Sequence, residues 1–298
     1  MRTLRRERPT STPESPSQRS TESIQVTSAQ HPDVPVRPIL EVDGLTKIFT
    51  PRGGAEHVAV DDVSFSLRPG GSLAIVGESG SGKTTTARIV AGLEVATSGT
   101  VTLEGREVDV GRRGRGRRSA RVVQMVFQDP FASLDPRQRV GAGLRELLRI
   151  HFDLSRSDLA DRVVALLEQV GLEHRHAGLL PRSLSGGQRQ RVAIARALAV
   201  DPTVLILDEA VSALDVSVQA QVLNLLSDIR AESGVSYLFV SHDLGVVRQV
   251  TDTCLVLNRG RVVETGATSE VLDHPRHAYT QALIDAVPKP GWHPRRRP

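Results

Sequence analysis

The stretch Ser72-Leu73-Ala74-Ile75-Val76-Gly77-Glu78-Ser79-Gly80-Ser81-Gly82-Lys83-Thr84 reads as a buried strand that feeds a glycine loop, with a helix opening near Lys83 and ending before Gly92. The spacing G-x-x-x-x-G-K-[ST] suits a loop whose backbone N–H groups cradle phosphates, with the lysine on the terminal phosphates and the hydroxyl of Thr84 left for Mg²⁺. The strand-loop-helix context is what such a loop requires, because the helix N-terminus adds unpaired N–H donors and a favourable dipole. Lys47, Lys83 and Lys289 are the only lysines in a chain otherwise rich in arginine. A lysine kept inside the glycine loop therefore stands out: a compact ammonium fits between phosphates more readily than a planar guanidinium.

Working outward, Thr203-Val204-Leu205-Ile206-Leu207-Asp208-Glu209 is an apolar strand ending in two carboxylates. Asp208, at the strand exit, is placed to hold Mg²⁺ or its water shell, since a hard cation prefers oxygen ligands. Glu209 is placed one residue further on, toward an attacking water. Further apolar strands are read at Val122–Phe127, Val204–Leu207, Tyr237–Val240 and Cys254–Leu257, separated by helical stretches, which predicts a parallel α/β core. Upstream, Val63, Phe65 and Leu67 alternate with Ser64 and Ser66, and Val101 and Leu103 with Thr100 and Thr102. These predict half-buried strands of an antiparallel sheet. Ser155-Arg156-Ser157-Asp158 resembles a capping box, followed by Leu159, Val163, Leu166, Leu167 and Val170 on one helical face, so a helical subdomain is expected from about 132 to 200. Residues 1–37, rich in Ser, Thr, Pro and Arg without a period, are read as a disordered tail.

About a hundred residues after the glycine loop stands Leu184-Ser185-Gly186-Gly187-Gln188, followed by Arg189-Gln190-Arg191-Val192-Ala193-Ile194-Ala195-Arg196-Ala197-Leu198. This pair of motifs resembles the ATP-binding cassette (ABC) family, over roughly residues 38–288. The fold implied is a P-loop NTPase cassette with a parallel core sheet, an antiparallel β subdomain and an inserted helical subdomain, here an ATPase domain at 38–272. ATP, with Mg²⁺, would lie on Gly77, Glu78, Ser79, Gly80, Ser81, Gly82, Lys83, Thr84 and Thr85. The metal would be held by Thr84, Gln128 and Asp208. Glu209 is assigned as the catalytic base, with Gln128 of Val126-Phe127-Gln128-Asp129-Pro130 in the Q-loop position and His242 of Val240-Ser241-His242-Asp243-Leu244 as the switch histidine. Ser185, Gly186, Gly187 and Gln188 would act in trans, on ATP held by a second cassette. Asp215 of Ser212-Ala213-Leu214-Asp215 matches the D-loop, through which two cassettes communicate. Phe49 is the candidate to stack on adenine.

Within that family, Gln128-Asp129-Pro130-Phe131-Ala132-Ser133-Leu134-Asp135-Pro136-Arg137 and Asp273-His274-Pro275-Arg276-His277-Ala278-Tyr279-Thr280-Gln281-Ala282-Leu283 resemble the oligopeptide, dipeptide and nickel importer ATPases. Residues 273–298 are then that group's C-terminal extension, with Ala278 where proline is usual. Ala210 stands after Glu209 where the family has proline, which should loosen a turn, and Arg182-Ser183 stands where His-Glu is common. The expected partners are integral membrane permease subunits, a second cassette (a heterodimer favoured over a homodimer), and an extracytoplasmic solute-binding protein indirectly. The expected place is the cytoplasmic face of the membrane, peripherally. The rival is a soluble cassette acting on ribosomes or DNA, but this chain shows neither a second cassette nor a long coiled coil between its two motifs.

Composition narrows the classes further. At 298 residues and 39% hydrophobic content, the chain can bury a sizeable core. Its single cysteine excludes an intramolecular disulfide and any multi-cysteine metal or iron–sulfur site within this sequence. Cys254, in an apolar run, is read as a small core residue. No apolar run reaches the roughly 18 residues that span a bilayer, and no signal-peptide centre is seen near the N-terminus. The run Arg112, Arg113, Arg115, Arg117, Arg118, without aromatic partners, is read as a solvated loop, and no nucleic acid is expected as a partner. Apart from His242, the histidines are read as incidental.

Overall fold

A computed structural model of the chain describes residues 37–50, 54–109, 121–129 and 133–287. The expected tail apart from Arg37, the Arg112–Arg118 run, Pro130-Phe131-Ala132 and the last eleven positions of the extension, 288–298, lie outside the described residues.

The chain begins with two long strands, β1 Leu40–Phe49 and β2 His57–Leu67, then β3 Ser72–Val76, helix α1 Lys83–Val90, and strands β4 Ser98–Leu103, β5 Arg106–Val108 and β6 Val123–Val126. A helical stretch follows, with α2 Val140–His151, α3 Arg156–Gln169 and α4 Gly186–Leu198. It leads into β7 Val204–Asp208, α5 Val216–Ser233, β8 Ser236–Ser241, α6 Leu244–Val250, β9 Thr253–Asn258, β10 Arg261–Ala267, α7 Thr268–Asp273 and α8 Ala278–Asp285. One sheet has the order β2-β1-β4-β5 and is antiparallel throughout; the other has the order β10-β9-β3-β8-β7-β6. In the second sheet, β9, β3, β8, β7 and β6 are parallel and β10 is an antiparallel edge.

The apolar runs of the parallel strands have a direct explanation: both faces of this sheet are covered, so no strand can afford a polar side. Leu73, Ile75, Val204, Ile206, Leu238, Val240, Leu255 and Leu257 enter one core, shared with α1 and the antiparallel sheet. Their neighbours Ala74, Val76, Leu205, Leu207, Tyr237, Phe239, Cys254 and Val256 enter the other, shared with α2 to α6. The alternation expected in β2 is present: Val63 and Leu67 are buried, Ser64 and Ser66 are exposed, and Phe65 is half-buried. Cys254 is a buried core residue, and burial pushes its thiol up to about 12.

Among the helices, Leu159, Val163, Leu166, Leu167 and Val170 form the buried face read from the sequence. Ser155 caps α3 by accepting the N–H of Asp158 at 3.2 Å. The full reciprocal box belongs to α4, where Ser185 and Gln188 make both halves. Helix α4 is buried on nearly all sides, through Val192, Ala193, Ile194, Ala195, Ala197 and Leu198. Its small side chains let it pack closely on several elements at once.

Ile206 is wholly buried between α1 and the antiparallel sheet. Ile206→Ala should therefore cost about 2–5 kcal/mol in chemical denaturation, the range for large-to-small changes in a packed core. A loss well below that range would mean the two sheets are loosely apposed.

Candidate nucleotide site

Strand β3 is tightly buried and stops at Gly77, where the backbone turns into the glycine loop. Gly77 has φ 149°, and a Cβ there would lie 2.2 Å from the carbonyl of Leu257; Gly82 has φ 103°, and a Cβ would lie 2.3 Å from the carbonyl of Ala59. Neighbouring backbone closes in on the loop at both points, so a side chain at either is barred by space and by conformation. Gly82 is also the N-cap of α1 and offers no side chain to the first turn. The first-turn N–H groups of Lys83, Thr84 and Thr85 have no intrahelical acceptor, the usual condition of a helix start.

Lys83 is buried, and its Nζ donates to the carbonyls of Gly77 at 2.8 Å and Glu78 at 2.7 Å. An ammonium has three donors, so one is left over. Burial holds the Lys83 pKa below its ordinary value, against the opposing effects of Glu209, Asp208 and Glu78. Ser81 N–H donates to the Glu78 carbonyl at 3.2 Å, and the carbonyl of Ser81 accepts from Gly260 N–H at 3.0 Å, which ties the loop to the β9–β10 turn.

The other site candidates stand at the carboxyl ends of adjacent parallel strands, where open α/β sheets bind ligands. Thr84 Oγ1 donates to Asp208 Oδ1 at 3.0 Å, joining the helix after the loop to the end of β7. Asp208 is 5% exposed, and burial pushes its pKa up against the hydrogen bond from Thr84. Glu209 adopts the left-handed conformation, φ 48°, and its N–H donates to the carbonyl of Val240 at 2.9 Å. Its Oε1 lies 3.1 Å from His242 Nδ1, so the imidazole donates Nδ1–H to the carboxylate. Gln128 is exposed two residues beyond Val126, which pairs with Leu207; Glu209 is two residues beyond Leu207. Parallel pairing therefore brings the segments that carry Gln128 and Glu209 out of the sheet on neighbouring strands, β6 and β7.

After Glu209 and Ala210 the chain turns at Ser212, whose N–H and hydroxyl both donate to the Glu209 carbonyl, at 3.1 and 2.9 Å. Phe49 ends β1 and pairs with His57, two residues from Ala59. The Lys47 ammonium, anchored by Glu94 at 3.0 Å and the Val95 carbonyl at 2.7 Å, lies 4.6 Å from the Phe49 ring centroid. A cation thus covers part of this exposed ring, a contact the sequence reading missed; Lys47 two residues before an aromatic on one strand was its only signal.

The signature forms a second cluster. Ser185 Oγ accepts from Gln188 N–H at 3.2 Å, and Ser185 N–H donates to Gln188 Oε1 at 2.9 Å. Two donors expected to be free at this helix start are therefore satisfied, which leaves the N–H groups of Gly186 and Gly187. Gly187 must lack a side chain because a Cβ would lie 2.3 Å from Val218 Cγ1. Val218 lies in the first turn of α5, which Asp215 caps by accepting from Val218 N–H at 3.0 Å and Ser217 Oγ at 2.8 Å. Asp215 is thus the cap of a helix whose first turn, at Val218, packs against Gly187.

His176, set aside as incidental, belongs to this cluster. It is 7% exposed, with Nδ1 2.9 Å from the Glu173 carbonyl and Nε2 3.3 Å from Gln188 Nε2. Because Ser185 N–H needs Oε1, the amide presents its NH₂ to the ring; His176 Nε2 accepts and Nδ1 carries the proton. No sequence period marked this residue, since it comes from a short 3₁₀ turn, His174–Gly178. Among the described residues, no hydrogen bond links the signature to the glycine loop of the same chain.

The profile of the ABC transporter family matches residues 60–212, about half of the chain. The chain belongs to that family. The profile of the oligopeptide/dipeptide transporter C-terminal region matches residues 263–298. The chain is 48% identical over 269 residues to the glutathione import ATP-binding protein GsiA of Salmonella choleraesuis, covering 87% of this chain and 43% of that protein. It is 46% identical over 257 residues to GsiA of Escherichia coli, covering 84% and 41%. The chain therefore spans less than half the length of these relatives. Among solved structures it resembles cbiO1 of Clostridium perfringens, part of the ABC transporter complex cbiONQ, with TM-score 0.68 and 27% identity over 80% of this chain and 91% of that one. A dimeric cassette in a post-hydrolysis state bound to ADP and Pi gives TM-score 0.67 and 27% identity over 77% and 98%. The fold is the α/β cassette of ABC ATPases.

The buried Asp208 carboxylate generates a prediction. Its raised pKa means the ionised form disfavours folding, with the penalty growing as pH rises through the raised value and vanishing as pH falls below the ordinary carboxylate range. Asp208→Asn, which still accepts from Thr84, should melt at or above the wild-type temperature at pH 7, with the difference shrinking toward pH 4. A marked loss of stability at pH 7 would contradict this reading of the site.

Proposed function

We propose that this chain binds and hydrolyses ATP as the motor subunit of an ABC importer for peptides or a related small solute. The observation that carries the hydrolytic reading is the convergence of Lys83, the Thr84–Asp208 pair and the Glu209–His242 pair at the carboxyl ends of β3, β7 and β8. The donor set suits Mg²⁺: hydroxyl and carboxylate oxygens from Thr84 and Asp208, the amide oxygen of Gln128, with the Asp208 carboxylate buried enough that its pKa is pushed up. When bound with ATP, Mg²⁺ neutralises phosphate charge.

The chain's own residues supply the rest. The loop N–H groups and the start of α1 bind the phosphates. Lys83 places its third donor on the terminal phosphate oxygens. Glu209 is the general base: Oε1 is engaged by His242, Oε2 takes a proton from water, the water oxygen bonds to the γ-phosphorus and the bond to ADP breaks. His242 orients that carboxylate by donating its Nδ1–H to Oε1. Phe49 is assigned to adenine, with Lys47 beneath it.

Gly186 and Gly187 offer the remaining signature donors to ATP on a second cassette, and Asp215 stands at the same interface. Such a contact favours the closed dimer while the γ-phosphate is present and releases it after hydrolysis. We assign residues 38–272 to the cassette, about 132–200 to its helical subdomain and 273–298 to the extension. Among the described residues, no helix is long and apolar enough to cross a membrane. The subunit is placed peripherally on the cytoplasmic face, against permease subunits, with a different cassette as its favoured partner and a solute-binding protein across the membrane. The match of the extension to the oligopeptide/dipeptide transporter profile favours this over action on ribosomes or DNA.

Glu209→Gln should keep ATP binding, slow hydrolysis at least about a hundredfold, the lower end of general-base effects, and accumulate an ATP-bound dimer. Hydrolysis at the wild-type rate would remove Glu209 from the role. Isolation of the native complex should yield integral membrane proteins; recovery with ribosomes or DNA instead would overturn the importer assignment.

A further inference from the structure

The C-terminal extension has no part in the chemistry above, yet it reaches the glycine loop. Tyr279, in α8, accepts the N–H of Glu78 on its hydroxyl at 3.1 Å, across 201 positions of sequence. Glu78 is a junction of the loop, because its carbonyl also receives Lys83 Nζ at 2.7 Å and Ser81 N–H at 3.2 Å. One residue thus joins the extension on its donor side to the catalytic lysine on its acceptor side.

The tyrosine is held in place from the sheet. Glu264 on β10 accepts the N–H of Arg276 at 2.8 Å on one oxygen and that of His277 at 3.1 Å on the other. Burial raises the Glu264 pKa, but the hydrogen bonds it accepts outweigh that and hold it below the ordinary range. His277 then caps α8, its Nδ1 accepting from Tyr279 N–H at 3.1 Å, and Gln281 Nε2 donates to the Pro275 carbonyl at 3.0 Å. Glu264 pairs with Val256 and Val256 with Val76, so the anchor lies in the same row across the sheet as the residue before the loop. Tyr279, Leu283 and Ile284 pack on the larger core. The extension is therefore a brace with one end on the sheet and the other on the loop.

We propose that Tyr279 is a positioning residue for the phosphate loop, through which the C-terminal extension sets how tightly nucleotide is held. This rests on the reading that the loop binds ATP. A tyrosine hydroxyl fixes the Glu78 backbone before nucleotide arrives, so less ordering remains to be done on binding. Its effect falls on binding rather than on the chemical step, because neither Glu209 nor His242 touches it.

The test uses the full chain with Tyr279→Phe, which removes the hydroxyl and keeps the ring, and Tyr279→Leu, which removes the ring as well. For Tyr279→Phe, ATP and ADP should both bind about three- to tenfold more weakly, the scale of one neutral hydrogen bond. Hydrogen exchange at the Glu78 amide should quicken at an unchanged melting temperature. In the assembled transporter, KM for ATP should rise with kcat unchanged, the pattern for binding lost equally from ground and transition states. Wild-type affinity and exchange in Tyr279→Phe, with losses confined to Tyr279→Leu, would show that the ring merely packs and would overturn the proposal, as would tighter binding. If the wild type bound neither nucleotide, the ATP reading itself would fail, and Glu78 exchange would still decide whether Tyr279 holds the loop.

Discussion

The ammonium of Lys83, buried against the carbonyls of Gly77 and Glu78, is the constraint around which the site is arranged. Taking a charge out of water is costly unless hydrogen bonds and opposite charges replace the solvent. Here the loop backbone supplies two hydrogen bonds, and Glu209, Asp208 and Glu78 supply the opposing field. The same burial acts on Asp208 with the opposite sign, disfavouring its carboxylate. Lysine and aspartate are thus held ready for ligands of opposite charge, and each position contributes less to stability than a well-packed apolar residue would. That trade is common at binding sites.

Sheet architecture makes the arrangement affordable. Because both faces of the parallel sheet are packed by apolar side chains, its strand ends are rigid platforms, and the loop, the carboxylate pair and His242 stand on three neighbouring ones. The close backbone approaches at Gly77 and Gly82 come from Leu257 on β9 and Ala59 on β2. Elements from both sheets therefore define the loop's shape. The signature cluster is built differently: Ser185, Gln188 and the ring of His176 are joined by short-range hydrogen bonds, and the first turn of the helix that Asp215 caps packs against Gly187.

Much of this was legible in the sequence because it follows from local patterns. Apolar runs such as Leu205-Ile206-Leu207 told of a sheet covered on both faces, and the glycine spacing told of the loop. Thr84 and Asp208, assigned to one metal through family resemblance, do meet. What escaped were contacts set by tertiary placement: Lys47 on Phe49, His176 on Gln188, and Tyr279 on Glu78. None of these has a periodic signature, and the last joins residues brought together only by the register of β10, β9 and β3. At Ser155 the box is incomplete, because the Asp158 side chain is one methylene shorter than the pattern's glutamate or glutamine; the complete one lies in the signature at Ser185 and Gln188.

The central claim is that nucleotide binds through the Lys83 ammonium in this loop. Calorimetric titration of ATP into Lys83→Ala, folded by circular dichroism and compared with the wild type, tests it most directly. Removing a buried cation surrounded by Glu209, Asp208 and Glu78 should abolish high-affinity binding while the fold persists. An affinity equal to that of the wild type would place the nucleotide elsewhere and contradict the account.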